Sequence, residues 1–355
     1  MTQSSGEDRQ RSVGLVLTGG TIGAEQHGSV LSVRARPTEA EAGLLAGAWP
    51  APGEPRVAVA APLRKLSESL VPGDWPAVAA AVRELVEVDD VDGVLVLHGT
   101  DTMAYTAAAL SFLLCDLDRP IVLTGSRLAS SQPNSDASGN VRAALVALLA
   151  LGSGTYVSFG DGEDAPARIH LGTRVRKAPS RGQTFTSVNR DPVATVQGDR
   201  LTPLAPYAHR LGERSVQDVD EHVLALRLYP GLDFEAMHDA VQRAGVRGVL
   251  VELYPAATGP DTGDRFSLPA FIRRCAEQGV IVATSAPGAG RSGAGAYETT
   301  LAIADAGGAS LRDMSTEAAT VKMMWALAQS QRTDAVVQLM LTPIAGELAP
   351  APSGR

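Results

Sequence analysis

Gly93-Val94-Leu95-Val96-Leu97-His98-Gly99-Thr100-Asp101-Thr102 is the stretch whose reading decides the fold. Four consecutive Val and Leu residues after a glycine are too short a run for a helix and read as a buried strand. A polar turn containing Gly99 follows, and an apolar helix then runs from about Thr102 to Cys115. Working outward, the unit recurs. Val13–Thr18, Val57–Ala61 and Pro120–Thr124 read as further strands, and helices follow Asp74-Trp75 and Ala137. Strands separated by helices in this rhythm predict βαβ units around a mostly parallel sheet, with helices on both faces. From Thr155 to Val196 the pattern changes to short strands and turns. Strand Val223–Leu228, helix Phe234–Ala244, strand Gly248–Leu253, helix Leu268–Gln278 and strand Val280–Thr284 then begin a second unit, which helices near 315–330 and 334–339 complete. The expectation is a two-domain α/β protein: a larger N-terminal domain over 13–204, a linker over 205–222, and a smaller C-terminal α/β domain over 223–345. Residues 1–12 and the Pro/Ala/Gly/Ser-rich 346–355 are expected to be disordered.

Composition narrows the function classes. The 355 residues are 45% hydrophobic and 20% charged, ordinary for a globular chain, with a formal net charge of -8. No cluster of Lys and Arg stands out, which argues against a nucleic-acid partner. No apolar run reaches the roughly 20 residues that span a bilayer, and the polar start of the chain lacks the apolar core of a signal peptide. No membrane partner and a cytoplasmic location are expected. Cys115 and Cys275 sit in apolar helical runs and read as small buried hydrophobes rather than a disulfide. The six histidines lack metal-site spacing, so neither a metal nor another cofactor is expected.

Two segments carry chemistry, and each lies just beyond a predicted strand, at the edge where open parallel sheets place ligands. Leu17-Thr18-Gly19-Gly20-Thr21-Ile22-Gly23 offers glycines that let backbone approach a ligand, with the Thr21 hydroxyl at the turn. His98-Gly99-Thr100-Asp101-Thr102 offers a hydroxyl, a carboxylate and a second hydroxyl at the mouth of a helix, whose free amides favour developing negative charge. Alone, the first is commonly a plain turn and the second a plain N-cap. Together, after the first and third strands of one sheet, they converge on one crevice.

These residues resemble the bacterial-type L-asparaginase family over nearly the whole chain. Thr18–Ile22 and His98–Thr102 look like its two active-site signatures. Leu123-Thr124-Gly125-Ser126, Ser135-Asp136 and Asn140 are similar to the segments that follow them. Tyr229-Pro230-Gly231 and Asp313-Met314-Ser315-Thr316-Glu317-Ala318-Ala319 look like the cytoplasmic branch. The resemblance implies hydrolysis of the side-chain carboxamide of L-asparagine, with Thr21 as nucleophile forming an acyl intermediate. Thr100 and Asp101 would be its partners, and Asp101 would also bind the substrate's ammonium group. Lys177 is expected to match the family lysine that pairs with that carboxylate, with neighbouring Arg176 as the alternative. A guanidinium does not give up its proton, which favours Lys177. Gly20, Ser67, Glu68 and Ser126 are the expected substrate-binding positions. The Ser67 hydroxyl suits an α-carboxylate, and Glu68 with Asp101 suits an ammonium. The implied partners are a small amino-acid amide and further copies of the chain, as a homodimer or homotetramer.

A threonine hydroxyl is a weak nucleophile and needs a base within hydrogen-bond reach. A lysine serves as one when burial or nearby positive charge disfavours its charged form, and a paired carboxylate opposes this. Two departures from the family stand out. Gly23–Pro37 carries no tyrosine to orient Thr21, leaving His27, or Tyr297 from the second domain, as candidates. Tyr254-Pro255-Ala256-Ala257-Thr258-Gly259-Pro260 replaces a glycine- and asparagine-containing loop of the second domain. Both changes admit an alternative substrate, a larger or peptide-linked carboxamide handled by an amidase or amidotransferase-like enzyme, or a catalytically quiet amino-acid-binding role. Gly288-Ala289-Gly290-Arg291-Ser292-Gly293 formally fits the dinucleotide fingerprint, but no amphipathic helix follows it, and it reads as a loop.

Overall fold

The computed structural model describes residues 10–27, 30–33, 39–162, 165–180, 182–287 and 297–349. The chain opens with strand β1 (Ser12–Leu17), the hairpin β2 (Ala24–His27) and β3 (Val30–Val33), helix α1 (Glu39–Ala48) and strand β4 (Arg56–Ala60). Helix α2 (Trp75–Glu87), β5 (Gly93–Leu97), α3 (Met103–Leu113), β6 (Pro120–Thr124), α4 (Ala137–Ala150) and β7 (Gly154–Phe159) follow. Strands β8 (Ala167–Leu171), β9 (Val175–Ser180), β10 (Gln183–Ser187), β11 (Ala194–Gln197) and β12 (Arg200–Pro203) complete the first domain.

Eight of these strands form one sheet in the order β12-β11-β8-β7-β6-β5-β1-β4. Pairing is parallel from β4 through β7 and antiparallel beyond. The parallel core reflects sequence directly, since all five β5 residues are buried. Alternation divides them between two cores. Val94 and Val96 join the core built with α2 and α3, while Leu95 and Leu97 join the core under α1 and α4. Helix α3 is buried on nearly every face, because a third layer covers it.

That layer comes from the second domain. Its parallel sheet runs β13 (Val223–Arg227), β14 (Gly248–Glu252), β15 (Ile281–Ser285) and β16 (Ala309–Ser310) in sequence order. Helices α5 (Phe234–Arg243), α6 (Leu268–Glu277) and α7 (Glu298–Asp305) border it, and α8 (Thr316–Gln329) and α9 (Thr333–Leu341) end it. Local caps start three of these helices: Asp233, Ser267 and Ser315 each accept the backbone N–H three residues on. Helix α8 lies against α3, with Phe112 and Trp325 rings 5.9 Å apart, so one hydrophobic core runs through both domains. Cys115 and Cys275 are free and buried. Among the described residues no helix is long and apolar enough to cross a membrane.

Two expectations need correction. Ser12 belongs to β1 and is 3% exposed, because its amide donates to Asp92. Residues 346–349 are ordered although their composition resembles a tail. Glu347 is wholly buried, accepts the amides of Ile344 and Ala345, and pairs with the equally buried Lys322 at 2.5 Å. The Lys322 ammonium also donates to the carbonyls of Met340 and Thr342, while burial pushes its pKa below the ordinary lysine range. Removing one partner of such a pair strands a buried charge, which costs about 3–5 kcal/mol. Lys322→Met should therefore lower stability by that amount in chemical denaturation, and adding Glu347→Gln should recover at least about half of it. A single variant within about 1 kcal/mol of the parent would show that the pair anchors nothing.

Candidate active site

Strands β1 and β5 are neighbours, in register from Val13 opposite Gly93 to Leu17 opposite Leu97. Both signatures therefore leave the sheet side by side at its carboxyl edge. The pairing continues one residue further, with Thr18 N and Oγ1 both donating to the Leu97 carbonyl, at 3.2 and 2.9 Å. Beyond it the two turns touch. A β-carbon added to Gly20 would lie 2.2 Å from the Gly99 nitrogen, and Gly20 has φ of +77°. No other residue meets both demands without displacing backbone. Gly99 is as tightly enclosed, because an added β-carbon would lie 2.5 Å from Ser67 Oγ. Thr21 and Thr100, the residues that follow these glycines, therefore start from adjacent backbone positions, and both are partly exposed.

The segment before α2 forms the third side. Gly20 N donates to the Lys65 carbonyl and Lys65 N to the Thr18 carbonyl, at 2.9 and 3.0 Å. The Lys65 ammonium is held by both oxygens of Asp74, each at 2.8 Å. This fixes the short turn Ser67–Ser69, in which Ser67 is buried and Glu68 exposed. The fourth side is the β9–β10 hairpin, anchored where Phe185 packs edge-on against Phe159. From it Lys177 Nζ donates to Thr100 Oγ1 at 2.8 Å and to Asp101 Oδ1 at 2.6 Å. Asp101 keeps much of its carboxylate exposed beside this ion pair, with 58% of the side chain accessible.

The structure separates the two lysine candidates by strand alternation. Lys177 points into the crevice, and Arg176 points away to Glu317 Oε1 and Thr316 Oγ1, at 2.8 and 2.9 Å. It brings Thr21, Thr100, Asp101, Lys177, Gly20 and Ser67 to one crevice, with Glu68 on its exposed rim. Ser126 is buried, and its hydroxyl donates to the Leu128 carbonyl at 2.5 Å, so that proton serves its own turn. The His27 side chain lies outside the described residues. Tyr297 is 56% exposed at the start of α7 and, among the described residues, makes no hydrogen bond to any of these groups. The loop over 254–260 folds on itself, with Ala257 N bonded to the Tyr254 carbonyl and Tyr254 N to the Thr258 carbonyl. The fingerprint at 288–293 also lies outside the described residues. In the sequence Asp74 reads only as the start of a helix and Lys65 carries no local signal, so their pairing is visible only in the fold. Among the described residues no group of three or more His, Cys, Asp or Glu side chains is arranged to hold a metal ion.

A two-domain α/β scaffold with a threonine pair, an acid and a lysine at the carboxyl edge of its main sheet defines an amide-directed class. The chain belongs to the asparaginase family. The family's N-terminal domain ("Asparaginase, N-terminal") matches residues 12–206, and its "Glutaminase/Asparaginase C-terminal domain" matches 222–340. Among curated relatives, L-asparaginase of Thermococcus kodakarensis is 37% identical over 286 residues, 79% of this chain and 83% of that one. A glutamyl-tRNA(Gln) amidotransferase subunit of the same organism is 37% identical over 292 residues, 80% of this chain, and the match spans only 65% of that longer protein. Among solved structures, the thermostable L-asparaginase from Thermococcus kodakarensis superposes with a TM-score of 0.80 at 32% identity, covering 96% of this chain and 100% of that one. L-asparaginase I from Vibrio cholerae gives 0.77 at 26% identity, covering 96% and 99%.

His98, inside the second signature, is wholly buried. Its Nδ1 lies 2.6 Å from the Gly99 carbonyl, which only accepts, so Nδ1 carries the proton of a neutral ring. Burial pushes the pKa from 6.5 down to about 4, against the opposing pull of that bond. Burial likewise takes His170 down to about 3, helped by Arg168. Between pH 6.5 and 4 the unfolded chain then binds a proton at each ring that the folded chain excludes. The stability they contribute is present above 6.5 and is lost as pH falls, up to about 3 kcal/mol for His98. Denaturation between pH 7 and 4.5 should show this fall, and His98→Gln should reduce its slope by about one proton. A His98 resonance titrating near 6.5 in the folded chain would contradict it.

Proposed function

We propose that the chain is an amidohydrolase that converts L-asparagine to L-aspartate and ammonia through an acyl-enzyme on Thr21. The observation that carries the reading is the Lys177 ammonium set between Thr100 and Asp101, beside the turn that presents Thr21. In this reading Asp101 and Glu68 take the substrate's α-ammonium group, and the Ser67 hydroxyl takes its α-carboxylate. The Thr21 oxygen attacks the carboxamide carbon while its proton passes through Thr100 to Lys177 in its amine form, and from Lys177 to the departing nitrogen. The C–N bond breaks, ammonia leaves, and an ester to Thr21 remains. Water then attacks the ester carbon, one of its protons returns to the Thr21 oxygen, and aspartate departs. The negative charge that develops on the carbonyl oxygen suits the mouth of α3, whose first turn carries no side-chain cap. The same reading takes the chain as a homodimer or homotetramer.

A second reading is supported by the amidotransferase relatives, in which the same chemistry would release ammonia for transfer to another acceptor. Ammonia release from free asparagine, free glutamine and peptide-linked carboxamides separates the two. Thr21→Ala, Thr100→Val and Lys177→Met should each lower turnover of the best substrate at least about a hundredfold while leaving the chain folded by circular dichroism. Near-normal turnover in Thr21→Ala would sink the mechanism. Glutamine or a peptide carboxamide preferred over free asparagine would move the assignment to the second reading.

A further inference from the structure

Thr102 stands at the N-cap of α3, where a threonine ordinarily accepts an amide of the first helical turn. It makes no such bond. Its hydroxyl instead donates across to the Ser67 carbonyl at 2.8 Å, 35 residues away in sequence. A residue of capping type that forgoes its local cap for a distant bond gives up helix stability, so the distant bond is the informative one.

Among the described residues the Ser67 carbonyl has one other donor, the Leu70 amide at 3.2 Å, which closes the turn itself. Thr102 thus provides the shorter of the two bonds on that oxygen, and the one of them that ties the turn to the second signature. The tie is reinforced by shape, since Gly99 has no room for a β-carbon against Ser67. Because Thr102 directly follows Asp101, its hydroxyl ties the Ser67 turn directly to the residue beside the Asp101 carboxylate, in addition to the anchoring of that turn through Lys65. The Ser67 hydroxyl and the Asp101 carboxylate are the two groups that must grip the α-carboxylate and α-ammonium of one amino acid at once.

We propose that Thr102 is a positioning residue for substrate specificity: its hydroxyl holds the Ser67–Ser69 turn at the distance from Asp101 that selects a free α-amino acid. This rests on the reading of the crevice as an amino-acid amide site. Among the described residues the Thr102 hydroxyl makes no hydrogen bond to Thr21, Thr100 or Lys177, so its loss acts on binding and spares chemistry.

The test compares Thr102→Val, Thr102→Ala and Thr102→Ser with the parent chain in three measurements. Steady-state hydrolysis of L-asparagine should show KM raised about tenfold in the Val and Ala variants, kcat within about twofold, and near-parental values in the Ser variant. Discrimination between L-asparagine and its N-acetyl derivative should narrow by a similar factor in the Val and Ala variants. Hydrogen exchange at the Leu70 amide should quicken in those two variants, and this reads the tie to the turn without any substrate. Unchanged KM and unchanged exchange would overturn the proposal, as would a fall in kcat at constant KM, which would place Thr102 in the transition state. If Val disrupts folding, the Ala and Ser pair carries the same comparison. A parent chain inactive on every carboxamide would overturn the amidohydrolase reading and the specificity role with it. Quickened exchange would then leave only a structural tie.

Discussion

The contact between Gly20 and Gly99 is the constraint on which the rest of the site depends. Backbone meets backbone there so closely that Gly20 can carry no side chain, and Gly99 can carry none because Ser67 closes its other side. The approach lets two turns, 79 residues apart along the chain where Thr18 meets Leu97, act as one surface. It is possible only because β1 and β5 are adjacent and parallel, so both turns leave the same edge at the same height. The hydrophobic cores on the two faces of the sheet hold that register, since slipping β5 by one residue would exchange Val94 and Val96 with Leu95 and Leu97.

The lysine reaches this surface from a different direction, on an antiparallel hairpin set off from the main sheet. Its placement depends on its neighbours. Arg174 is fixed by the Asp313 carboxylate and the Gly346 carbonyl, and Arg176 by Glu317 and Thr316, all contributed by the second domain or the segment after it. The second domain therefore does more than cover α3. It holds the strand from which Lys177 points back toward Thr100 and Asp101. Buried ion pairs are poor sources of net stability, and their best-attested use is to impose one arrangement over others. The arrangement imposed here is the one that aims the lysine.

Much of this was legible in the sequence because the signals were local. Four apolar residues after Gly93 marked β5, and a glycine-containing turn after a strand marked each signature. What was not legible depends on distance. Ordinary charges at Lys65 and Asp74 become meaningful only when the chain folds back under the first signature. The tail was misread because Gly346-Glu347-Leu348 has the composition of a tail, and only the buried Lys322 ammonium gives Glu347 a reason to be inside. Thr102 reads from sequence as a helix cap, and its actual bond to Ser67 is invisible without the fold. Chemistry alone favoured Lys177 over Arg176, and the fold adds which of the two side chains on β9 looks into the crevice.

In the proposed reaction Thr21, rather than Thr100, is the nucleophile of the crevice beside that glycine contact. The most direct test uses an asparagine analogue with an electrophilic diazoketone in place of the carboxamide, followed by digestion and mass mapping of the labelled peptide. A single label on the Thr21 hydroxyl, blocked by excess L-aspartate, is expected, with no label in Thr21→Ala. A label on Thr100, or inactivation with Thr21 left unmodified, would contradict it.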